Sequence, residues 1–137
     1  MKLMQTKFSW PVRVYYEDTD AGGVVFYANY LKFYERARTE MLRDMGFEQD
    51  ELMTQESVIF VVRSVQVDYL KPAKFNELIS VTAELSLVKS ASIVFEQTIT
   101  RGDDLLNKAS VKIACLDAKT MRPKYIPETL KRALNYE

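Results

Sequence analysis

The stretch from Asp18 to Arg43 constrains the fold more than any other part of the sequence. It begins as a short loop with two aspartates and two glycines, and it continues as a long, mostly apolar segment. Asn29 is the predicted N-cap of a helix and Gly46 its predicted C′ residue. Apolar side chains recur at the spacing of one helical face at Tyr30, Phe33, Tyr34, Ala37, Met41 and Met45. The pattern predicts a long helix at the packing centre of the chain.

Most of the remaining sequence predicts strands. Pro11 removes a ladder donor, so the first strand is expected at a sheet edge or with a bulge. Short helices are predicted over residues 47–55 and after Pro127. Five segments alternate apolar and polar side chains with the period of a half-buried strand, over residues 6–16, 58–70, 79–87, 92–100 and 105–116.

The alternation also predicts which strand residues face inward. In the second segment Ile59, Val61, Val65, Val67 and Tyr69 fall on one face, with Arg63 as an interruption, and in the third segment Leu87 continues the inward row. Short turns join the later strands, which are therefore expected to be antiparallel neighbours. A curved five-stranded antiparallel sheet around the long helix follows, an α+β architecture in a single domain over residues 1–137.

Composition excludes several classes of function. The 19 basic and 19 acidic residues give a net charge of 0, which argues against nucleic acid as the main partner. Cys115 is the single cysteine, so no intramolecular disulfide can form and a reducing, cytoplasmic location is expected. The sequence has neither a secretory signal pattern nor a run of about 18 apolar residues, so we expect a protein that is not membrane-spanning.

The absence of histidine restricts the available chemistry. Histidine-dependent triads and histidine-ligated metals are excluded, and acid–base work falls to carboxylates, tyrosines, lysines, Cys115 or backbone dipoles. Asp18 and Asp20 lie in a loop whose glycines let a substrate approach the backbone, an arrangement that suits a general base or a nucleophile. The alternative is structural, since aspartates in such loops also form Asx turns or cap a helix.

Two other interpretations of this loop meet specific objections. An EF-hand loop also begins with D-x-D, but its twelfth position needs a bidentate glutamate and here holds Asn29. Phosphatases of the haloacid dehalogenase type use D-x-D after a strand, but they need repeated βαβ units, whereas this sequence predicts mostly consecutive strands.

A longer pattern adds to these local observations. Arg13 to Leu42 reads RVYYEDTDAGGVVFYANYLKFYERARTEML, and F-V-V-R at 60–63 and K-P-A at 71–73 follow it. Together these segments resemble the hot-dog-fold acyl-CoA thioesterases. The resemblance is greatest to the Tol-Pal-associated, YbgC-type branch, which is related to 4-hydroxybenzoyl-CoA thioesterase. It implies hydrolysis of an acyl-CoA thioester. We expect no metal or redox cofactor, because the chain has no histidine and one cysteine. Acyl carrier protein is a second possible carrier of the acyl group. The resemblance also implies a homodimer or homotetramer whose active site lies at the dimer interface.

The resemblance also implies roles for individual residues. Asp20 matches the catalytic carboxylate, which attacks the thioester carbonyl or activates a water, while a backbone N–H near the helix start holds the carbonyl oxygen. Tyr27 stands where the branch typically has histidine, so it is either a second catalytic residue or an aromatic side chain packed in the core. The residues implied to bind the substrate are Gly22, Gly23, Phe60, Val61, Lys89 and Ser92.

Other residues are weaker candidates. Glu35 and Glu40 carry carboxylates on the helix, but surface ion pairs with Lys32, Arg36, Arg38 or Arg43 are the alternative. Cys115 lies on an apolar strand face and is expected in the core. A binding module that holds acyl-CoA or acyl carrier protein without hydrolysis is the main rival function. Further candidates to meet the phosphates of coenzyme A are Lys71, Lys74, Arg101, Arg122 and Lys124.

Overall fold

The predicted long helix is the centre of the fold. The computed structural model describes residues 7–135, and in it the helix α1 spans Asn29–Asp44. Its apolar face is buried at the positions that the sequence pattern predicts, from Tyr30 to Met41. Gly46 follows the C-cap with a φ of 96°, and its N–H donates to Arg43 O at 2.9 Å, which confirms its predicted place.

The remaining elements follow the predicted order. Residue 6 of the first predicted strand lies outside the described residues, as do residues 1–5 and 136–137 of the predicted 1–137 domain. After the first strand a single 3₁₀ turn, Tyr16–Asp18, leads into the aspartate loop. The other elements are β1 Phe8–Arg13, α2 Gln49–Glu56, β2 Val58–Tyr69, β3 Leu78–Val88, β4 Ser92–Arg101, β5 Asp104–Asp117 and α3 Glu128–Asn135.

The five strands form one antiparallel sheet in the order β1-β3-β4-β5-β2. Pro11 therefore lies in an edge strand, as predicted. The expectation that all consecutive later strands are neighbours is wrong for β2 and β3, because β2 pairs with β5. The segment between them is a crossover: the N–H groups of Leu70 and Lys71 both donate to Leu106 O at 2.9 Å as the chain passes the end of the sheet.

A bulge at Arg63 changes which face the residues of β2 present. The register with β5 shifts between Val62 and Ser64, so the alternation restarts after the bulge. Phe60 and Val65 both pair with buried residues of β5 and face the helix. Ile59 and Val61 consequently lie on the outer face, and the prediction that they share a face with Val65 is wrong.

A second bulge corrects the prediction for Leu87. The register of β3 with β4 shifts between Leu85 and Leu87. Leu85 pairs with buried Phe95, whereas Leu87 pairs with Val94 on the outer face and is exposed. In both strands one extra residue interrupts an alternation of inward and outward side chains that looks continuous in the sequence.

A buried polar seam joins α1 to the sheet. The Gln97 side chain donates from Nε2 to Tyr34 O at 3.1 Å and to Thr82 O at 3.0 Å. Its Oε1 accepts a hydrogen bond from Arg38 Nη1 at 3.0 Å. Tyr34 Oη donates to Asn107 Oδ1 at 2.6 Å, so the helix is tied to both β4 and β5 by directional bonds.

We predict that Tyr34→Phe lowers the free energy of unfolding by about 1–3 kcal/mol, because it leaves the buried Asn107 oxygen without its donor. Urea unfolding of the variant measures the change. Tyr125→Phe is the matched control, since this exposed tyrosine should lose less than about 0.5 kcal/mol. Equal stability of the two variants would contradict a role for the seam.

Candidate active site

Asp18 holds the two ends of the loop together. Its buried carboxylate accepts a hydrogen bond from Tyr15 N at 2.8 Å. Its carbonyl oxygen accepts from Phe26 N at 3.1 Å and from Asn29 Nδ2 at 2.9 Å. Asn29 is thus not the N-cap that the sequence predicted: Ala28 occupies that position, and the Asn29 amide is used across the loop instead.

Asp20 is exposed in the same loop and its carboxylate is oriented by a local turn. Gly22 N donates to Asp20 Oδ1 at 2.8 Å, and Asp20 N donates to Val24 O at 2.9 Å. A Cβ at Gly22 would lie 3.3 Å from Oδ1, so glycine permits this close approach. Gly23 adopts a φ of 80°, which also favours glycine. Within residues 7–135, Oδ2 of Asp20 has no hydrogen-bond partner.

The crossover between β2 and β3 is hydrogen-bonded to the loop. Val25 N donates to Ala73 O at 2.9 Å, and Phe75 N donates to Gly23 O at 3.1 Å. An ion pair of 2.9 Å between Arg101 and Glu77 fixes the crossover in turn. The loop is therefore positioned by backbone pairing on both sides.

Tyr27 lies between this loop and α1. Its side chain is 64% exposed, so it is not part of the core of this chain. Its ring contacts Tyr69 of β2 edge-on, with 6.4 Å between centroids, and Tyr69 Oη donates to Tyr27 O at 3.2 Å. The N–H groups of Tyr27 and Ala28 have no acceptor among the described residues, and they lie at the positive end of the α1 dipole.

A cavity of about 110 Å³ lies against the second half of α1. Its polar lining comes from Glu35, Arg38 and Thr39 of the helix and from Gln49 of α2. Its apolar walls are formed by Leu42, Phe60, Val62, Ile93, Phe95 and Ile113. A mostly apolar pocket with a few converging polar groups is typical of a small-molecule site.

The predicted substrate-binding residues divide among three places. Gly22 and Gly23 lie in the loop with Asp20, and Phe60 lines the cavity. Val61 lies on the outer face of the sheet, where it pairs with Ala114 of β5. Ser92 of β4 pairs with Ala114 from the other side, and the exposed Lys89 lies in the turn before Ser92. The loop precedes α1, whereas Arg38 lies roughly 14 Å along its axis, so one chain does not bring loop and cavity together.

The sequence matches the profile of the Thioesterase-like superfamily over residues 14–134. The chain belongs to this superfamily. It is 48% identical over 134 residues to "Acyl-CoA thioesterase YbgC" of Haemophilus influenzae, covering 98% of each chain. It is 33% identical over 132 residues to the protein of the same name from Helicobacter pylori strain 26695, covering 90% of this chain and 96% of the relative.

A solved structure shows the same fold. The probable thioesterase from Bartonella henselae superposes with a TM-score of 0.85 at 35% identity, over 88% of this chain and 99% of that one. The antiparallel sheet wrapped around α1 is therefore the hot-dog fold of the thioesterase-like superfamily, and the predicted fold class is confirmed.

Arg38 is a residue of this thioesterase-like chain that sequence reasoning misplaced. It was expected at the surface, but its side chain is only 8% exposed and lines the cavity. Its spacing was a usable signal, since Arg38 follows Tyr34 by one helical turn and precedes Met41 and Leu42 by another, in the middle of the apolar face.

The other charged candidates are largely committed to neighbours. Glu40 pairs with Arg43, and Glu35 accepts a hydrogen bond from Thr39 at 2.8 Å. Cys115 is buried as predicted, and burial raises the pKa of its thiol to about 11, which disfavours the thiolate needed for nucleophilic attack. Of the candidate phosphate ligands, Lys71, Arg101 and Lys124 form ion pairs with carboxylates.

Residues 7–135 contain neither a metal-binding cluster nor a membrane-spanning helix. No cluster of three or more cysteine, aspartate or glutamate side chains has the proximity needed to hold a metal ion. None of the helices in that range combines the length and hydropathy required to cross a bilayer.

Proposed function

We propose that this protein hydrolyses acyl-CoA thioesters, with Asp20 as the nucleophile or the general base. The observation that carries the proposal is the Asp20 carboxylate itself: Gly22 N fixes Oδ1, and within residues 7–135 Oδ2 has no hydrogen-bond partner, in a loop that leads into α1. The names of the relatives from Haemophilus influenzae and Helicobacter pylori support the same reaction.

The loop supplies the two groups that thioester hydrolysis needs. Oδ2 of Asp20 either attacks the carbonyl carbon, forming a mixed anhydride that water then opens, or takes a proton from an attacking water. The N–H groups of Tyr27 and Ala28 are the candidates to stabilise the oxyanion that forms. In either route the C–S bond breaks, the sulfur of coenzyme A leaves as the thiol and the acyl group leaves as the free acid.

We also propose that the complete site forms between two copies of the chain. α1 packs over β1 and β3, and only the short α2 contacts β2, so the helix-facing side of this edge strand remains partly uncovered, with Val62 51% and Tyr69 49% exposed. A second copy paired along this edge would cover both side chains and satisfy the free strand edge.

The direction of β2 explains why this pairing would complete the site. In a two-fold antiparallel pair, the Tyr69 end of β2 in one copy lies beside the Phe60 end in the other. Tyr69 contacts Tyr27 next to the Asp20 loop, and Phe60 lines the cavity. The pairing therefore carries the loop of one copy toward the cavity of the other, and two such dimers would make a tetramer.

The remaining parts of the proposal concern the carrier of the acyl group. Ser92 lies on the outer face of the sheet and the exposed Lys89 lies in the turn before it, and we propose that they meet the phosphates of coenzyme A or of the acyl carrier protein arm. The lone, buried Cys115 agrees with the proposed cytoplasmic location.

Asp20→Asn should lower kcat for acyl-CoA hydrolysis by about 10²–10⁴-fold, because it removes the charge while keeping the size and the hydrogen bond from Gly22. Thiol release from a panel of acyl-CoA substrates measures the loss. Asp18→Asn is the matched control and should lower kcat much less, because the Asp18 carboxylate accepts a hydrogen bond from Tyr15 N within the loop and takes no part in the proposed reaction. Near-native kcat in folded Asp20→Asn protein would refute the mechanism. A wild-type protein that binds acyl-CoA without releasing thiol would support the rival binding module.

Tyr27→Phe should change kcat or the preference among acyl groups without changing stability, because the side chain is exposed at the start of α1 and belongs to a residue whose N–H is a proposed oxyanion donor. The same substrate panel and a thermal melt test this. Tyr125→Phe, remote in the sequence and exposed, is the control. Unchanged kinetics for every substrate would leave Tyr27 without a catalytic role.

The protein should be at least a dimer in solution, with hydrolysis lost on dissociation. Light scattering and a dilution series of specific activity test this. Val65→Lys should weaken both dimerisation and hydrolysis, because it places a charge on the same partly uncovered face of β2 but outside the cavity lining. A stable 15.9 kDa monomer with full specific activity at nanomolar concentration would contradict the shared site.

Hydrolysis should proceed without a metal or other cofactor, because carboxylate and backbone groups supply the proposed chemistry. Turnover after extensive dialysis against EDTA should equal that of untreated protein. Loss of activity that magnesium restores would require a different mechanism.

A further inference from the structure

Arg38 is a buried cation with unused hydrogen-bond donors. Its guanidinium lies at the cavity, and the described residues give it one hydrogen bond, from Nη1 to Gln97 Oε1 at 3.0 Å. Within residues 7–135 it forms no ion pair. A guanidinium carries five N–H donors and keeps its charge in proteins, so donors remain for a ligand.

The sheet fixes the direction of this side chain. Both donors of the Gln97 amide are occupied, by Tyr34 O and Thr82 O, so its single oxygen has to face Arg38. The backbone of Arg38 is held in the middle of α1. The guanidinium is therefore anchored at one N–H group before any ligand arrives, which lowers the entropy lost on binding.

The cavity around Arg38 fits the end of a short acyl group. Its volume of about 110 Å³ is somewhat smaller than that of an engineered cavity of about 150 Å³ that accepts benzene. Phe60, Val62 and Ile113 contribute apolar wall, which suits a hydrocarbon chain. An entirely apolar acyl group would leave the guanidinium desolvated with Gln97 Oε1 as its one acceptor among the described residues, which is unfavourable for a buried charge.

Resting on the proposed hydrolysis and the shared site, we propose that Arg38 is the residue that recognises an oxygen at the far end of the acyl group. The protein then favours acyl-CoA substrates that end in a hydroxyl or carboxylate over alkyl chains of the same length. Buried donors that lack a partner with the wrong substrate are an effective source of such discrimination.

Glu35 bears on which oxygen is preferred. Its exposed carboxylate lies one turn before Arg38 at the cavity rim, where Thr39 Oγ1 donates to it at 2.8 Å and Gln49 Nε2 donates to Thr39 Oγ1 at 2.9 Å. This negative charge repels a carboxylate, whereas a hydroxyl can accept from Arg38 and donate to Glu35. The rim therefore favours the hydroxyl-ended group.

Three substrates of similar size test the assignment: 4-hydroxybutyryl-CoA, succinyl-CoA and pentanoyl-CoA. In Arg38→Met, which keeps most of the side-chain length, kcat/KM for the two oxygen-bearing substrates should fall roughly 10- to 100-fold relative to pentanoyl-CoA. Arg36→Met is the matched control, since Arg36 is exposed over the Phe33 ring, and it should leave the ratios unchanged. Arg38→Lys keeps the charge and is used if Arg38→Met does not fold; it should give a smaller loss in the same direction.

The substrate whose kcat/KM falls more in Arg38→Met, 4-hydroxybutyryl-CoA or succinyl-CoA, shows whether Arg38 recognises a hydroxyl or a carboxylate. Equal losses for all three substrates, or none, would overturn the assignment and leave Arg38 as a structural tie between α1 and β4. Calorimetric binding of the same thioesters to Asp20→Asn and to Asp20→Asn with Arg38→Met separates this result from the catalytic proposal. If wild-type protein releases no thiol, hydrolysis is refuted, while the ratio of Kd values still tests Arg38.

Discussion

The side-chain amide of Gln97 makes the three hydrogen bonds on which the arrangement of α1 over the sheet depends. Apolar packing drives the helix onto the sheet, but it is not directional and tolerates sliding. The amide bonds Tyr34 O on the helix and Thr82 O on β3, and it leaves one acceptor for Arg38. The two bonds to the helix, with Tyr34 O and Arg38, would be lost if the helix shifted by a turn, so the buried amide selects one position of α1. That position in turn sets where the loop before the helix and the cavity beside it lie.

The two ends of α1 carry different halves of a site. At the N-terminal end, Asp18 closes the loop and Asp20 is exposed, and within residues 7–135 the N–H groups of Tyr27 and Ala28 have no acceptor. Against the second half, Arg38 faces an apolar cavity. A rigid helix keeps these halves apart within one chain. Our proposal that a two-fold pair of β2 strands joins them gives the exposed apolar side chains of β2 a function, and it makes catalysis dependent on assembly.

The sequence predicted the parts of the structure that follow a single period. The spacing of apolar residues in α1, the edge position of Pro11 and the hot-dog fold are all confirmed. The errors arise where one residue breaks a period: the bulges after Val62 and Leu85 move Val61 and Leu87 to the outer face. The pairing of β2 with β5 depends on the long crossover, which local sequence does not encode. Asn29 was misassigned because its amide bonds a carbonyl across the loop. The burial of Arg38 follows from Gln97, far away in the sequence.

Complementation between two inactive variants tests the shared site most directly. Asp20→Asn removes the carboxylate, and Thr39→Trp fills the cavity of an otherwise intact chain, at a position on α1 away from the proposed β2 interface. Each variant alone should be inactive, and dimerisation of each is checked by light scattering. When equal amounts are unfolded and refolded together, half of the dimers are mixed, and each mixed dimer has one intact loop facing one intact cavity. The account predicts recovery of about one quarter of the wild-type activity. A mixture no more active than the two variants measured separately would contradict a site built from two chains.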